Sequence, residues 1–385
     1  MFVIFVVIVI IVPFKFIYNP NTFTIMDTWN NIINMNRIRD TVRDKYIEVG
    51  DDMMELLETP EFQSLRYVSQ LGVVSLVYPS ANHTRFEHSL GVFDTVKRFI
   101  DSLDITDENL QRQLKIAGLL HDVGHGGYSH NIEGVDGAPN HEESTKKIIQ
   151  DFNERGLIRD MDVIPVIEFV AGEREPNIIA GEIDADRIDY LTRDAYYTGI
   201  NHGIDADTII QNAHILDEQI IYDVTAVEAI ENLLVARKNM YRSVYYHPKI
   251  LCAEQMLITA INNSSINPQS LHQYNDRTLH TRLLNDDNSV TVELYKRLVN
   301  RNLYKEYRAC SSGEHDSIIK QLLNSELEEH EWVVSEQKEL FSDIDIMINN
   351  NDEIVKFTEL SPVTQELLTT NYLSDNRIFT APNKK

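Results

Sequence analysis

Cysteine is scarce in this sequence, which has two in 385 residues, Cys252 and Cys310. Two distant cysteines are too few for a disulfide framework, and neither has a partner at the spacing of a zinc finger. The shortage therefore excludes small disulfide-stabilised secreted folds and thiolate zinc modules. It favours a reducing compartment, the cytoplasm or the nucleus.

Basic residues are also in short supply. There are 35 lysines and arginines against 60 aspartates and glutamates, so the net charge is −25. A protein that binds a nucleic-acid backbone strongly needs clustered positive charge, so strong nucleic-acid binding is not expected. A small phosphate ligand can still bind if a metal and a few local cations reverse the field inside one cleft.

A hydrophobic run long enough to span a bilayer is missing as well. Residues 2–12, FVIFVVIVIIV, are apolar throughout, but a transmembrane helix needs about 20 such residues. The run also lacks the basic start and the small-residue cleavage site of a signal peptide. Residues 1–25 are therefore either a membrane-associated leader or the product of a start codon placed too early. We expect membrane contact only in the first case, and we expect these residues to be dispensable for catalysis.

Helical periodicity is what the sequence does have. Residues 84–100 and 109–120 place apolar side chains at helical spacing. The segment HILDEQIIYD, residues 214–223, alternates around a polar pair and predicts a β-hairpin. Beyond about residue 262 the periodicity weakens. We predict a mainly α protein with a helical core and a short hairpin over residues 36–262, followed by a smaller mixed α/β C-terminal lobe over residues 263–385.

The segment HDVGHGGYSH, residues 121–130, follows an apolar, helix-like run. His121 and Asp122 thus stand at the end of a rigid support, and we expect the glycines after them to let the backbone turn tightly. An imidazole beside a carboxylate suits a transition metal, but two ligands do not complete a site. His88 on the preceding helix and Asp186 at a later helix start complete the order H…HD…D.

Five further segments occur in a fixed order: TPEFQSLRYVSQLG, HTRFEHSLGV, AGLLHDVGHGGYSH, HEES and DADRIDYLTRDAYYTGI. Together with the H…HD…D order they resemble the HD-domain metallophosphohydrolases, and among these the deoxynucleoside triphosphate triphosphohydrolases. The pattern is most similar to the animal branch that carries a sterile-alpha-motif domain ahead of its HD domain, which this sequence lacks. The resemblance covers about residues 37–305, so we predict that residues 36–262 are an HD-domain catalytic core.

The resemblance implies a metal site and a reaction. The ligands would be His88, His121, Asp122 and Asp186, a mixed nitrogen and oxygen set that suits iron, manganese, zinc or nickel without selecting among them. A second ion, Mg²⁺, would accompany the substrate triphosphate. The family reaction attacks the α-phosphorus of a dNTP and releases the deoxynucleoside and intact triphosphate.

The resemblance also implies a catalytic group. His130 would act near the leaving 5′-oxygen, while His125 and His141 would contact phosphate or orient their neighbours. Histidine suits this work because its ordinary pKa lies near neutrality. Glu142 could hold an imidazole in position, and His141 could instead do no more than cap the next helix. The predicted catalytic residues are His125, His130, His141 and Arg85.

Phosphate binding needs positive donors, which the resemblance places at Arg85, Arg187 and Arg237. Close relatives carry lysine where this chain has Arg187, so the charge is kept while the donor geometry changes. The animal branch has a histidine where this chain has Tyr241, which can donate a hydrogen bond but carries no positive charge at neutral pH. We therefore expect the rate or the phosphate affinity to differ from that of the animal branch.

Sugar recognition is implied at five positions. Gln70 and Asp194 would bind the 3′-hydroxyl, and Tyr190, one helical turn before Asp194, would meet the same sugar. Leu71 and Tyr245 would crowd the 2′ carbon, so that a ribose hydroxyl would clash and stay unpaired. The alternative for the bulky members of this set is ordinary core packing.

Regulation is a further expectation from the resemblance, because the animal branch is assembled and activated by nucleotides at subunit contacts. We expect a homo-oligomer, a dimer or a tetramer, with GTP or dGTP as activator. Gln63 and Arg66 would read the guanine base together with Glu58, which stands where the relative has aspartate. The alternative is a capped amphipathic helix with a solvated face. The predicted guanine site comprises Arg37, Glu58, Gln63, Arg66, Arg301 and Lys305.

A neighbouring site for a second dNTP effector is not expected. Thr208, Asn212, Val224 and Ala226 stand where the animal branch would have basic or stacking residues. A second triphosphate would meet a strongly acidic protein with little local compensation. Activation by a guanine nucleotide alone is therefore the prediction.

Two other functions stay open. The chain could be an HD phosphohydrolase that acts on a monophosphate, a cyclic nucleotide or an alarmone, although the long DADRIDYLTRDAYYTGI block argues against this. It could also be a catalytically silent nucleotide-sensing protein. The presence of every ligand in the H…HD…D order argues against silence.

Overall fold

Helices dominate the chain. The computed structural model describes residues 36–310, 312–323, 327–335, 344–351, 353–361 and 376–382. The helices, in chain order, are α1 (Asp51–Leu57), α2 (Pro60–Ser64), α3 (Arg85–Ser102), α4 (Glu108–Leu120), α5 (His141–Glu154), α6 (Ile164–Val170), α7 (Ala185–Thr198), α8 (Ala206–Gln211), α9 (Val227–Met240), α10 (Pro248–Asn262), α11 (Asp276–Leu284), α12 (Ser289–Val299), α13 (Ser312–Leu323) and α14 (Phe357–Leu360). This architecture confirms the predicted mainly α fold class.

The strands are short and form three small sheets. They are β1 (Asn36–Asp40), β2 (Lys45–Val49), β3 (Ala213–Leu216), β4 (Gln219–Asp223), β5 (Lys305–Cys310), β6 (Trp332–Ser335), β7 (Met347–Asn350), β8 (Glu353–Lys356) and β9 (Asn376–Thr380). Strands β1 and β2 form an antiparallel pair, the second sheet has the order β3-β4-β7-β8, and the third has the order β5-β9-β6. In the second sheet β4 and β7 run parallel, so a late segment of the chain extends an early hairpin.

One hairpin was predicted and another was not. β3 and β4 pair as expected, and their connection uses Asp217 and Glu218, both with positive φ, as a tight two-residue turn requires. The hairpin β1–β2 carries no turn signal that the sequence prediction used, although Ile38 pairs with Ile47 across it and Ile47 is fully buried. The missed hairpin supports the active site, as described below.

The sequence pattern predicts one long helix over residues 224–246 and a strand over residues 353–360, and both are interrupted in the structure. The long helix expected around residues 224–246 begins with a 3-10 turn, continues as α9 and ends in the π-helical turn Tyr241–Tyr245. The segment predicted as a strand at residues 353–360 is strand only as β8. There a new turn of helix begins, and the Glu359 carboxylate accepts from the Lys356 backbone N–H at 3.4 Å.

Two hydrophobic clusters form the core. The larger one joins the hairpin β1–β2 with α1 to α9 and takes in Ile348 of β7. The smaller one joins α10, α11 and α12 with strands β6 and β9, and it includes Val73 and Ile132 from loops near the predicted catalytic residues. Loops of the predicted core thus pack on helices that follow it in sequence. The predicted division of the chain at residue 262 stays a prediction.

Among the described residues, no helix combines the length and the apolar character that crossing a bilayer requires. Residues 1–25 lie outside the described residues, so the choice between a leader and an early start stays a prediction. Cys252 and Cys310 are both buried.

Candidate active site

The ends of three helices carry the predicted metal ligands. His88 lies one turn into α3, and His121 is the C-cap residue of α4, directly followed by Asp122. Asp186 lies in the first turn of α7, whose N-cap is Asp184. Helices α3, α4 and α7 pack against one another in the larger cluster, so their backbones fix the positions of all four ligands.

The structure brings these four predicted ligands together. The Nε2 atoms of His88 and His121 lie 3.2 Å apart. Asp186 Oδ1 lies 2.9 Å from the first of these atoms and 3.7 Å from the second. Asp122 Oδ2 lies 3.5 Å from each. Two nitrogens and two carboxylate oxygens thus face one point, which is the mixed donor set that a divalent transition metal prefers.

The other ring nitrogen of each imidazole is already engaged. His88 Nδ1 lies 2.8 Å from Asp189 Oδ2, and His121 Nδ1 lies 3.0 Å from the carbonyl oxygen of Gly118. An acceptor at Nδ1 places the proton there and leaves the lone pair on Nε2, as metal-binding histidines require. The residues present therefore fit a metal ion. Asp189 was missed by the sequence prediction.

Asp189 is held in a buried ionic network behind the metal ligands. Arg193 Nε lies 2.9 Å from Asp189 Oδ2, and Arg43 Nη1 lies 2.5 Å from Asp189 Oδ1. Arg193 also reaches Asp40 Oδ2 at 2.9 Å. Burial raises the pKa of Asp189, but the two guanidinium groups outweigh it and hold that pKa well below its usual range. Arg43 and Asp40 come from the missed hairpin, so β1–β2 supports His88 from behind.

The charges around the ligands shift their pKa values in opposite directions. Burial lowers the pKa of His88, but hydrogen bonds with Asp186 and Asp189 outweigh this effect and raise it to about 10. Burial raises the pKa of Asp122, but Arg85 and the nearby imidazoles outweigh it and hold the pKa well below its usual range. The cleft therefore keeps its carboxylates ionised at neutral pH.

Arg85 contacts a metal ligand and a loop at once. Its Nη1 atom donates to Asp122 Oδ2 at 2.6 Å, and its Nε atom donates to Ser129 Oγ at 2.9 Å. The side chain is buried. Arg85 thus ties Asp122 to the loop that carries His130, in addition to any contact with phosphate.

His125, His130 and His141, the histidine group, lie beside the metal ligands. The rings of His125 and His141 stack with centroids 4.0 Å apart, and the ring of His130 meets that of His125 edge-on at 4.7 Å. His125 Nε2 is 3.4 Å from Asp122 Oδ1. Burial and the charge of Arg85 lower the pKa of His125 well below its usual value, so this imidazole is neutral. His130 is exposed at the mouth of the cleft.

Glu133 holds two members of the histidine group. Its Oε2 atom lies 3.0 Å from His130 Nδ1 and its Oε1 atom lies 2.5 Å from His141 Nδ1. The expectation that Glu142 would hold an imidazole is therefore wrong, since that side chain is exposed on the first turn of α5. A sequence signal for Glu133 did exist, because it follows His130 by three residues within one 3-10 helix, Ser129–Gly134.

The glycines of HDVGHGGYSH lie in a segment that turns tightly, as expected, and they also permit close packing. The Ser129 N–H donates to the Gly126 carbonyl at 3.0 Å, which closes one such turn. A Cβ atom on Gly126 would lie 2.6 Å from the carbonyl oxygen of Leu271, and one on Gly127 would lie 2.7 Å from the carbonyl carbon of Asn275. The left-handed conformation falls on Tyr128 and Ser129, with φ of 62° and 53°. The glycines are therefore also needed because the segment before α11 packs against two of them.

The predicted sugar-binding residues meet at the far end of α7. Asp194 Oδ2 accepts from the Tyr245 hydroxyl at 2.6 Å, and Asp194 Oδ1 lies 2.8 Å from His83 Nε2. The Gln70 backbone N–H donates to the His83 carbonyl at 3.0 Å, and half-buried Leu71 packs on the larger cluster. His83 was missed, although it opens the segment HTRFEHSLGV.

The predicted phosphate-binding arginines, Arg187 and Arg237, make separate contacts in the same region. Arg187 Nη1 donates to the Glu182 carbonyl oxygen, while the Arg237 guanidinium lies 5.9 Å from the centre of the Tyr241 ring. Tyr190 is largely buried, and burial raises its pKa above the usual value. Tyr241 packs edge-on against Tyr245 at 4.9 Å in the π-helical turn, which links the phosphate and sugar ends.

The predicted guanine site lies on the surface in separate pieces. Gln63 Oε1 accepts from Arg66 Nε at 2.7 Å, and the Arg66 guanidinium lies 3.5 Å above the Phe86 ring. Arg37 pairs with Glu48 across the hairpin β1–β2 at 2.7 Å. The remaining members lie elsewhere: Glu58 is the exposed C-cap of α1, Arg301 donates to the Leu76 carbonyl at 2.7 Å, and Lys305 opens β5.

Comparison with protein-family models gives two matches in the chain. Residues 85–194 match the HD domain, and residues 204–374 match the HD-associated region. The first range contains all four predicted metal ligands and the histidine group. The second contains α9 to α12. The segment directly before α11 packs against the glycines beside the histidine group.

Two related proteins and one solved structure place the chain among known proteins. The uncharacterized protein MJ1154 of Methanocaldococcus jannaschii is 31% identical over 91% of this chain and 80% of its own length. The deoxynucleoside triphosphate triphosphohydrolase SAMHD1 homolog of Dictyostelium discoideum is 30% identical, over 68% of this chain and 58% of its own length. The crystal structure of a phosphohydrolase from Bacteroides thetaiotaomicron matches with a TM-score of 0.75 and 26% identity, over 90% of this chain and 99% of that one.

Proposed function

Because the chain belongs to the HD-domain family, with an HD domain followed by an HD-associated region, we propose that it hydrolyses dNTPs to a deoxynucleoside and inorganic triphosphate. The family membership confirms the resemblance noted in the sequence and makes the chain a member of the HD phosphohydrolases. The substrate is the part that we propose.

One observation carries the proposal: buried polar atoms at both ends of the cleft lack a close hydrogen-bond partner. Among the described residues, Gln70 Oε1 is buried without a hydrogen-bond partner, and buried His125 Nε2 has only the long 3.4 Å contact with Asp122 Oδ1. A buried polar atom without a partner costs about 1–3 kcal/mol, so each is expected to meet a ligand. A phosphate oxygen at His125 and a sugar hydroxyl at Gln70 would satisfy both.

The distance between these ends suits a nucleotide. Asp186 and Asp194 lie eight residues apart on α7, which is about 12 Å along a helix axis. That length is comparable to a phosphate and a sugar in sequence. A phosphate near Asp186 would therefore leave the sugar beside Asp194, whose carboxylate is already oriented by Tyr245 and His83.

His88, His121, Asp122 and Asp186 would hold the divalent metal. A metal in this position supplies Lewis-acid polarisation of a phosphate oxygen and lowers the pKa of water. We propose iron, manganese, zinc or nickel here, and Mg²⁺ on the triphosphate. Arg85 orients Asp122 through its 2.6 Å hydrogen bond and adds positive charge where phosphate charge would gather.

The histidine group would transfer and hold the protons of the proposed reaction. In the proposed reaction, water adds its oxygen to the α-phosphorus, the bond between this phosphorus and the 5′-oxygen breaks, and a proton reaches the leaving oxygen. Glu133 accepts from His130 Nδ1 and favours the doubly protonated ring, whose Nε2–H would give this proton to the leaving oxygen; the proton lost by the attacking water would then restore the charged ring. Neutral His125 would donate its Nε2–H to a phosphate oxygen, while Glu133 keeps the His141 ring stacked on it.

Discrimination against ribose would come from the sugar end. Leu71 and Tyr245 would crowd the 2′ carbon, and Tyr245 has the further task of orienting Asp194. Arg187, Arg237, Tyr190 and Tyr241 would line the path of the triphosphate and the sugar. A site that leaves a polar group unpaired or in collision discriminates strongly between substrates.

Regulation by a guanine nucleotide is a second, finer part of the proposal. Arg37, Glu58, Gln63 and Arg66 precede the HD domain in the sequence, whereas Arg301 and Lys305 belong to the HD-associated region. Residues from two copies could complete such a site, which supports a homo-oligomer activated by GTP or dGTP.

A substrate screen tests the proposed function. Purified protein, with its metal content measured, would be offered dNTPs, NTPs, nucleoside monophosphates and cyclic nucleotides, each with and without GTP. We expect dNTP hydrolysis with triphosphate as the product. Release of pyrophosphate or monophosphate, or turnover of another nucleotide class alone, would identify a different HD phosphohydrolase. No turnover of any substrate by metal-loaded protein would favour a nucleotide sensor.

A further inference from the structure

Asp276, in the HD-associated region, binds two loops of the active site. It is the first residue of α11, which already has a capping box from Asn275 and Thr278. The Asp276 carboxylate takes no part in this capping box and accepts hydrogen bonds from two loops instead. Asp276 Oδ1 accepts from the Tyr128 backbone N–H at 2.7 Å, and Asp276 Oδ2 accepts from the Ser69 backbone N–H at 3.1 Å and from the Ser69 hydroxyl.

The two loops carry the groups that the proposed reaction uses. Ser69 directly precedes Gln70 and Leu71 at the sugar end, while Tyr128 lies two residues before His130. The loops are also tied to each other, because the Ser129 hydroxyl donates to the Ser69 carbonyl at 2.5 Å. The same hydroxyl accepts from Arg85, which holds the metal ligand Asp122. Asp276 thus stands at the end of a chain of contacts that reaches the metal ligands.

The conformation of the histidine loop requires such support. Tyr128 and Ser129 are consecutive residues other than glycine in the left-handed region, which is sterically unfavourable and persists only where the surroundings enforce it. Besides the bond from its N–H to Asp276, the hydroxyl of Tyr128 lies 2.5 Å from that of Tyr295 in α12. The HD-associated region therefore holds this residue at both its backbone and its side chain.

We propose that Asp276 is a positioning residue that sets the spacing between the histidine loop and the sugar loop. The nature of the reaction rests on the proposed function, but the geometric role of Asp276 does not. A carboxylate has two acceptor atoms, one for each loop. An amide keeps one acceptor and replaces the other with an N–H donor. Asp276→Asn must therefore release or repel one of the two loops while changing little in volume.

The chain offers a closely matched control. Asp286 also lies in the HD-associated region, and it accepts from the backbone N–H of Ser265 at 3.0 Å, from the Ser265 hydroxyl at 2.8 Å, and from the Asn288 N–H at 2.9 Å. It therefore makes the same three kinds of bond, including a serine clamped at two points. Its partners carry no group of the proposed active site.

Steady-state kinetics of Asp276→Asn, Asp286→Asn and Ser69→Ala, with metal content and Tm measured for each, test the role. We expect Asp276→Asn to keep its metal and to lose kcat by about 10- to 100-fold, the range typical of outer partners at metal sites. Ser69→Ala, which removes one hydroxyl and preserves the fold, should lose less. The double variant should lose less than the product of the two losses, because the residues share one bond. Equal kcat values for Asp276→Asn and Asp286→Asn at similar Tm would overturn the proposal.

A second measurement separates this proposal from the proposed function. In protein with ¹⁵N-labelled histidine, the imidazole signals of His130 report its surroundings whatever the substrate. We expect Asp276→Asn to shift or broaden the His130 signals and Asp286→Asn to leave them unchanged. If His130 is unmoved by Asp276→Asn, Asp276 is not a positioning residue, even if dNTPs are hydrolysed. If His130 moves but dNTPs are not substrates, the positioning role stands and the proposed substrate is wrong.

Discussion

The cleft and the predicted guanine site are both rich in polar side chains, but they meet their hydrogen-bonding needs differently. In the cleft, among the described residues, Gln70 Oε1 is buried without a partner and buried His125 Nε2 has only the 3.4 Å contact with Asp122 Oδ1. At the surface, both polar atoms of the Gln63 side chain have a hydrogen-bond partner. Its Nε2 atom donates to the Leu57 carbonyl at 2.8 Å, and its Oε1 atom accepts from Arg66.

This difference determines whether a ligand must break existing hydrogen bonds in order to bind. A nucleotide in the cleft would supply partners that the fold lacks, so the protein need not rearrange. A nucleotide at the guanine site would have to replace bonds that already exist, and these are exposed bonds of small net value. We therefore expect variants of the cleft to have large effects and variants of the surface to act only through regulation.

The largest effect is expected for Asp122→Ala. This change removes an ionised metal ligand and leaves buried Arg85 without its carboxylate partner. We expect metal content to fall and kcat to drop by more than about 100-fold, beyond the range typical of outer partners. Elemental analysis and kinetics on the same preparation check this. An active wild-type protein that contains no metal would refute the assigned site.

A smaller loss is expected for Glu133→Gln, with Glu142→Gln as the matched control. The first change weakens the acceptor that orients His130 and His141, and the second alters an exposed carboxylate nearby. We expect the first variant to lose kcat by about 100-fold, the lower end for a positioned proton donor, with little change in KM. Equal activity of the two variants would remove Glu133 from the mechanism.

Tyr245 tests the sugar end, where two roles can be separated. Tyr245→Phe keeps the ring but loses the hydrogen bond to Asp194, which should cost about 1–3 kcal/mol of transition-state binding while dGTP stays preferred over GTP. Tyr245→Ala also removes the ring and should relax that preference. The ratio of kcat/KM for dGTP and GTP is the measurement. A ratio that is the same in both variants would contradict crowding at the 2′ carbon.

The smallest effect on catalysis is expected from the surface. The double variant Gln63→Ala and Arg66→Ala should leave basal dNTP hydrolysis and Tm nearly unchanged while abolishing activation by GTP. Arg155→Ala is the control, because Arg155 is also an exposed arginine that packs over an aromatic ring. Rates with and without GTP, followed together with size-exclusion chromatography, decide the matter. Full wild-type activity without any guanine nucleotide would remove the regulatory proposal and leave the catalytic one intact.

Whether a residue of the candidate site could be predicted from the sequence depends on how that residue acts. The four predicted metal ligands could be named from the sequence because ligand chemistry restricts residue types and the H…HD…D order gives their sequence positions. Asp189 and His83 act through other side chains, so their importance appears only when helices α3 and α7 lie side by side. The hairpin β1–β2 was missed although its turn does have local features, since the Asp40 carboxylate accepts from the Val42 N–H and Asp44 takes a positive φ.

The ionic network behind His88 has a consequence for any attempt to shorten this protein. Arg193 is fully buried and lies within residues 85–194, the segment that matches the HD domain, but its partner Asp40 lies outside that segment. Removing one partner from a buried ion pair costs about 3–5 kcal/mol. An excised HD segment would thus keep every predicted metal ligand and also Asp189, but it would lose Asp40 and Arg43, which hold the buried charges of Arg193 and Asp189 in place. The functional unit begins at least 45 residues before the boundary that sequence matching draws, counting from Asp40 to Arg85.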